Sequence, residues 1–100
     1  MVNPEAARHQ IDIRLERLRS RSYADLLTLP PFSLEEIAFG AEVWSVTTYR
    51  NLEKNAVRIV VQIGSPQPKF MLLHVQADGF RMKPDGALAS LSESELYEYM

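Results

Sequence analysis

The chain has 100 residues, of which 46% are hydrophobic and 24% charged, and a formal net charge of −2 at neutral pH. This length fits one domain, residues 1–100, and the composition is ordinary for a globular protein and argues against intrinsic disorder. The chain contains no cysteine, which excludes disulfides, thiolate metal sites and a cysteine nucleophile. Its first residues lack the pattern of a secretory signal, and no apolar run approaches the roughly 20 residues of a membrane span. We therefore expect a cytoplasmic protein without a membrane partner.

The first predicted element is an amphipathic helix over about residues 4–28. Asn3, Pro4 and Glu5 supply an N-cap residue, a proline suited to the first helical position and an acid in the first turn. An apolar stripe follows at helical spacing, formed by Ala7, Ile11, Leu15 and Leu18. We expect this stripe to cover one face of a sheet, while residues 22–29 either continue the helix or form a separate turn.

Five arginines lie in or just beyond this segment: Arg8, Arg14, Arg17, Arg19 and Arg21. One interpretation is a nucleic-acid-binding surface, and the other is a solvated helix face on which Asp12 and Glu16 form ion pairs with the arginines. Phosphate binding needs clustered and unneutralised charge. We favour the solvated face and do not expect a nucleic-acid partner.

Pro30 and Pro31 predict the end of the helical segment and a rigid connector. The run Ser33-Leu34-Glu35-Glu36 matches a helix capping box. Because the sequence becomes strand-like soon afterwards, we expect at most one helical turn here.

Between Glu42 and Lys83, β-branched and aromatic residues alternate with polar ones, which predicts a four-stranded antiparallel meander. Asp78-Gly79 predicts a two-residue hairpin turn between strands at 71–77 and 80–83. The proline-containing run 64–68 predicts a second turn, which pairs Val61 with Met71 and Ile59 with Leu73.

The remaining turn, near residues 51–54, has two possible loop lengths. A four-residue loop pairs Thr48 with Val57 and directs Trp44 into the core, whereas a five-residue loop buries Val43 and Tyr49 instead. We favour the four-residue loop because Trp44 has the largest apolar area, and burial stabilises by roughly 25 cal/mol per Å².

Pro84-Asp85-Gly86 predicts a turn after the sheet. Ser92-Glu93-Ser94-Glu95 predicts a capping box and a short helix over about residues 93–100. The predicted fold is therefore a two-layer α+β domain, in which an N-terminal helix packs on a four-stranded meander and a short helix follows. This order of a helix followed by strands resembles the cystatin-like arrangement.

The sequence lacks the motifs of known catalytic and metal sites. Its two histidines, His9 and His74, are far apart along the chain, and neither forms a zinc-binding motif. It contains neither a glycine-rich phosphate loop nor a G-x-S-x-G elbow. We expect no metal, no cofactor and no catalytic residue, and we lean against an enzyme.

The predicted pairing gathers a basic row on the sheet face away from the helix, made of Arg58, His74, Arg81 and Lys83, with Phe70 and Tyr49 as apolar walls. Three interpretations follow: a protein interface, a small-anion site, or a solvated face. The acidic C-terminal segment is itself a possible partner of the row. We expect a non-enzymatic protein-binding or regulatory module, a homodimer that associates through its sheet. The alternative is a small-anion binder or an enzyme with His74 as its proton-transfer group.

Overall fold

A computed structural model of the chain describes residues 4–39, 42–64 and 76–96. Its helices are α1 (Pro4–Arg19), α2 (Tyr23–Leu27) and α3 (Glu93–Leu96). Its strands are β1 (Phe32–Phe39), β2 (Glu42–Glu53), β3 (Ala56–Gly64), β4 (Gln76–Met82) and β5 (Leu88–Ser90). The strands form one antiparallel sheet in the order β1-β2-β3-β4-β5. The predicted α+β class is confirmed, and the described residues contain five strands where four were predicted.

Two helices replace the single helix predicted over residues 4–28. Helix α1 ends at Arg19, and the Ser22 side chain accepts a hydrogen bond from the Asp25 N–H at 3.1 Å. A serine that caps a new helix in this way competes with continuation of the preceding one. Residues 23–27 therefore form a separate helix, which inserts the buried Leu26 into the core. No helix among the described residues is long and apolar enough to cross a membrane.

The apolar stripe of α1 packs on one face of the sheet, which we call the inner face. Its buried side chains are Ala7, Ile11 and Leu15, with Leu18 packed beside them. The sheet contributes Trp44, Val46, Val57, Ile59, Val61, Ile63, Phe80 and Met82. Burial of this apolar area is the main stabilising contribution to the two-layer fold. The opposite face of the sheet is called the outer face below.

The turn between β2 and β3 is shorter than predicted. It consists of Lys54 and Asn55, so Thr48 pairs with Val61 instead of Val57. The predicted register was wrong by four residues. Because side chains alternate with a period of two, an even shift keeps each residue on its predicted face. Trp44 is accordingly buried, as predicted.

Strand β1 occupies the segment that was predicted to form a capping box and at most one helical turn. Ser33 pairs with Thr48 and Glu35 with Val46, so the chain is extended through the whole motif. The hydrogen bonds of an eight-residue ladder outweigh the local capping preference. The sheet therefore begins ten residues earlier than predicted, at 32 instead of 42.

Asp78 and Gly79 lie inside β4 and do not form the predicted hairpin turn. They pair with Val61 and Val60 of β3. A Cβ atom at Gly79 would lie 2.1 Å from the carbonyl oxygen of Ile59, so the glycine permits a close approach of the two strands. The neighbour of β3 is thus residues 76–82 and not the predicted strand at 71–77. The predicted turn at 64–68 and most of that strand fall in residues 65–75, outside the described residues.

The predicted turn after β4 is confirmed. The Lys83 N–H donates to the Ala87 carbonyl oxygen at 2.9 Å, and Gly86 adopts a positive φ of 89°. The chain then returns as β5, which was not predicted. The capping box before α3 is also confirmed, because Ser92 Oγ accepts from the Glu95 N–H and a Glu95 carboxylate oxygen accepts from the Ser92 N–H at 3.0 Å.

Candidate binding surface on the outer sheet face

Arg58 and Arg81 lie directly opposite each other on β3 and β4, with their side chains on the outer face. The predicted pairing placed a strand at 71–77 between the strands of these two arginines, whereas in the structure they are direct partners. Arg58 is 5% exposed, which is unusually deep for a cation. Two like charges at directly opposite positions destabilise a sheet unless counter-charges are present.

Two carboxylates neutralise this pair of arginines. Arg81 binds Glu53 through a fork, with Nε 2.5 Å from one oxygen and a terminal nitrogen 3.1 Å from the other, and it also donates to Glu95. Arg58 lies 3.7 Å from Glu53 and 3.6 Å from Glu95. We call these four residues the outer-face ion cluster. Its formal charges cancel.

The cluster shifts the ionisation of its members. A hydrogen bond from the Ser92 N–H, followed by one from Arg81, lowers the pKa of Glu95 to about 2. The hydrogen bond from Arg81 also lowers the pKa of Glu53. Hydrogen bonds to both carboxylates raise the pKa of Arg81. Glu53, Arg81 and Glu95 therefore remain charged near neutral pH.

Helix α3 lies against the outer face at this cluster. Besides the ion pairs of Glu95, the Gln62 side-chain N–H donates to the Leu96 carbonyl oxygen at 3.0 Å. The excess of acids after Lys83 was the sequence signal for this contact. The role of Glu53 was missed because the predicted turn included it, whereas the two-residue turn leaves it on β2 beside Ala56.

Of the other predicted site residues, the structure describes Tyr49 and Lys83. Tyr49 lies on the same face but pairs with Val60, in the neighbouring row. Lys83 follows β4 and is exposed, without an ion pair among the described residues. Phe70 and His74 fall outside the described residues.

A second part of the outer face, at the β1 side, exposes large apolar side chains. Phe32 is 62% exposed and Leu34 is 61% exposed, and Val43 of β2 is also exposed. The pairing of β1 with β2 directs all three, with Ala38, to the outer face. We call these four residues the β1 edge patch. Glu36 lies between Leu34 and Ala38 on this face. Exposed apolar side chains gathered at one edge of a sheet are typical of interaction sites.

Strand β1 also offers backbone hydrogen-bonding groups. It has no second neighbouring strand within residues 4–39, 42–64 and 76–96. The Arg50 N–H donates to the Pro31 carbonyl oxygen at 2.9 Å, so these residues form a hydrogen-bonded pair. Such pairs alternate along an antiparallel ladder. The N–H and C=O groups of the even-numbered residues therefore point to the free edge: Phe32, Leu34, Glu36 and Ala38.

The same described ranges contain no group of three or more His, Cys, Asp or Glu side chains that could hold a metal ion. No protein-family model, curated protein or solved structure matches this chain. The proposals below rest on the residues and their geometry.

Proposed function

We propose that the protein is a non-enzymatic protein-binding module that self-associates through the edge of its sheet, with β1 as the contact strand. One observation carries this proposal: an eight-residue edge strand combines outward-pointing backbone groups with Phe32 and Leu34, each about three-fifths exposed. Edge strands with exposed apolar side chains readily pair with another chain. The partner we infer is a second copy of this chain.

Symmetry restricts how two copies of β1 can pair. A twofold axis normal to the sheet makes the strands antiparallel and keeps the two outer faces on one side. Because the even-numbered residues present their backbone groups at the edge, each must face an even-numbered residue of the partner subunit. The registers with substantial overlap are then centred on Leu34, Glu35, Glu36 or Ile37.

Charge and apolar contact favour the register centred on Leu34. Centring on Glu35 or Glu36 places two carboxylates directly opposite each other, which destabilises a sheet. Centring on Ile37 leaves Phe32 and Leu34 outside the paired segment. Centring on Leu34 brings two copies of that leucine together, places Phe32 against Glu36 of the partner subunit, and forms about six backbone hydrogen bonds.

The basic row supports the alternative function, a small-anion site, less well. Arg58 and Arg81 already have Glu53 and Glu95 as counter-charges. An external anion would have to displace those carboxylates. We therefore infer that the arginines hold α3 on the outer face, and that association uses the β1 edge patch.

Sedimentation velocity over a range of concentrations tests the proposal. We expect a reversible dimer with a dissociation constant in roughly the micromolar range, as is usual for a small interface. Leu34→Lys should give a monomer at every concentration, because each partner would bring a cation to the same point. Leu52→Lys is the matched control, since Leu52 is 56% exposed but lies on the inner face of β2. A monomeric unsubstituted protein, or equal effects of both substitutions, would contradict the proposal.

Single cysteines test the register, since the chain has none of its own. Residues directly opposite each other have Cα atoms about 5.5 Å apart, within the range of a disulfide. Leu34→Cys should therefore form a covalent dimer under mild oxidation. If a covalent dimer forms instead through a cysteine at Glu35, Glu36 or Ile37, the register centred on Leu34 is wrong. Self-association through β1 would still be supported.

A further inference from the structure

A groove of about 180 Å³ lies on the inner side of the molecule, between α1, the connector after α2 and the first two strands. Leu18, Leu29 and Pro30 form its apolar part. Leu18 and Leu29 are half-buried and pack against the hydrophobic core, so this part of the wall is rigidly supported. The groove is separate from both the outer-face ion cluster and the β1 edge patch.

Three arginines line the same groove: Arg14, Arg17 and Arg21. Their spacing along the chain brings them to one side of α1 and its C-terminal end. Among the described residues, Glu35 contributes the one carboxylate that lines the groove with them. The lining therefore has a formal charge of +2. The partial negative charge at the C-terminus of a helix is about half a unit, so it offsets only a small part of this.

Arg14 is the fixed member of this set. Its side chain is 16% exposed, its Nε lies 2.5 Å from Glu35, and a terminal nitrogen donates to the backbone oxygen and to the side-chain oxygen of Gln10, each at 2.9 Å. Arg17 and Arg21 are exposed, and neither forms an ion pair with a described residue. One guanidinium is thus positioned in advance, while two others are free to close on a ligand.

Two hydroxyl groups complete the lining. Ser33 and Thr48 pair directly across β1 and β2, with their side chains on the inner face. Neither hydroxyl forms a hydrogen bond within the described residues. Both can donate to an oxyanion that the arginines attract.

From this combination we propose that the groove binds a small organic anion, in which a phosphate or carboxylate group contacts Arg17 and Arg21 and a short apolar group contacts Leu18 and Leu29. The volume suits a single ring or a short alkyl chain. Because the groove does not include the β1 edge patch, this proposal does not depend on self-association.

Phenyl phosphate is a suitable probe, because it combines a dianion with one ring. In a titration followed by two-dimensional NMR, we expect saturable shifts in the backbone resonances of Leu18, Leu29, Ser33 and Thr48. Inorganic phosphate should bind more weakly, since it lacks the apolar group, and benzyl alcohol should produce no shifts there. If the resonances of the groove residues do not shift at about 10 mM phenyl phosphate, the dissociation constant is too high for a specific ligand, and the proposal is overturned.

Charge variants provide the matched controls. Replacing Arg17 and Arg21 together with glutamine should weaken phenyl phosphate binding by at least about tenfold, because charge-assisted hydrogen bonds are lost. Arg19→Gln should leave binding unchanged, since the Arg19 guanidinium lies 5.6 Å from the centre of the Phe80 ring, outside this groove. Glu35→Gln should strengthen binding, a gain that partial unfolding cannot imitate. Equal affinity of the Arg17/Arg21 variant and the unsubstituted protein would overturn the site.

Discussion

Arg58 of β3 and Arg81 of β4 are direct cross-strand partners, and Glu53 and Glu95 supply counter-charges beside the pair. Glu53 comes from β2 and Glu95 from α3. The cluster therefore connects three strands and the C-terminal helix through one set of charges. Because Arg58 is almost fully buried, removal of a counter-charge leaves a cation that water cannot easily solvate.

Glu53→Gln should lower the free energy of unfolding by about 2 kcal/mol near neutral pH, because the fork to Arg81 is lost and the buried Arg58 loses a nearby carboxylate. Urea denaturation monitored by circular dichroism measures this. Glu16→Gln is the matched control, since Glu16 is exposed on α1, away from β1, and has no ion pair among the described residues. Losses of equal size in the two variants would show that the outer-face ion cluster does not stabilise the fold.

The stability of the protein should fall on acidification in a defined window. The pKa of Glu95 is about 2 in the folded protein, against an ordinary value of 4.5, and the pKa of Glu53 is also lowered. Between these values the unfolded chain binds more protons than the folded one, so stability is present above about pH 4.5 and is lost towards pH 2.

Urea midpoints at about pH 7, 4 and 3 measure this dependence. Glu95→Gln removes one of the responsible carboxylates, so its stability should change less with pH and approach that of the unsubstituted protein at the acidic end. Parallel pH curves for the two proteins would contradict the assignment to Glu95.

Gly79→Ala should be strongly destabilising, by about 3 kcal/mol or more. The added methyl group would lie 2.1 Å from the Ile59 carbonyl oxygen and 3.0 Å from the Cα of Val60, and these backbone atoms belong to a central strand. Gly86→Ala provides a comparison, because its Cβ would have no atom within 4 Å and only its φ of +89° opposes the change. We expect about 1 kcal/mol there. Thermal unfolding of both variants measures the difference, and similar losses would argue against close approach of β3 and β4.

Truncation of a core side chain should destabilise the protein more than truncation of an exposed one. Ile59 is fully buried between α1 and the sheet, so Ile59→Ala should cost roughly 3 kcal/mol through lost burial and the cavity that remains. Leu52→Ala, at a position 56% exposed, should cost less than about 1 kcal/mol.

Iodide quenching of tryptophan fluorescence tests the core separately, since the buried Trp44 should be protected in the unsubstituted protein. Free quenching of Trp44 would contradict its position in the core.

The α+β class and the sidedness of the sheet follow from periodicity. The helical spacing of Ala7, Ile11 and Leu15 predicts the covering helix, and strand alternation places Trp44 inside and Arg58 outside. The two strand assignments depend only on whether a position is odd or even. They are preserved when a strand shifts by an even number of residues, which is the error made between β2 and β3.

Pairing partners could not be predicted in the same way. Asp78-Gly79 is a strong hairpin signal when considered alone, and Ser33 to Glu36 match a capping box, yet both segments are strands. In each case the local preference amounts to about 1 kcal/mol, whereas pairing with a central strand adds several hydrogen bonds and buried side chains together. The sum over the ladder exceeds the preference of a single turn or cap.

The sequence alone thus specified that Trp44 lies on the inner face and Arg58 on the outer face, because alternation is a property of neighbouring residues. The folded structure decided which strands are neighbours and which strand lies at the edge. It also decided that Glu53 and Glu95 are the counter-charges of Arg58 and Arg81. Those outcomes depend on total burial and charge compensation between residues distant in sequence, which a short window of residues does not contain.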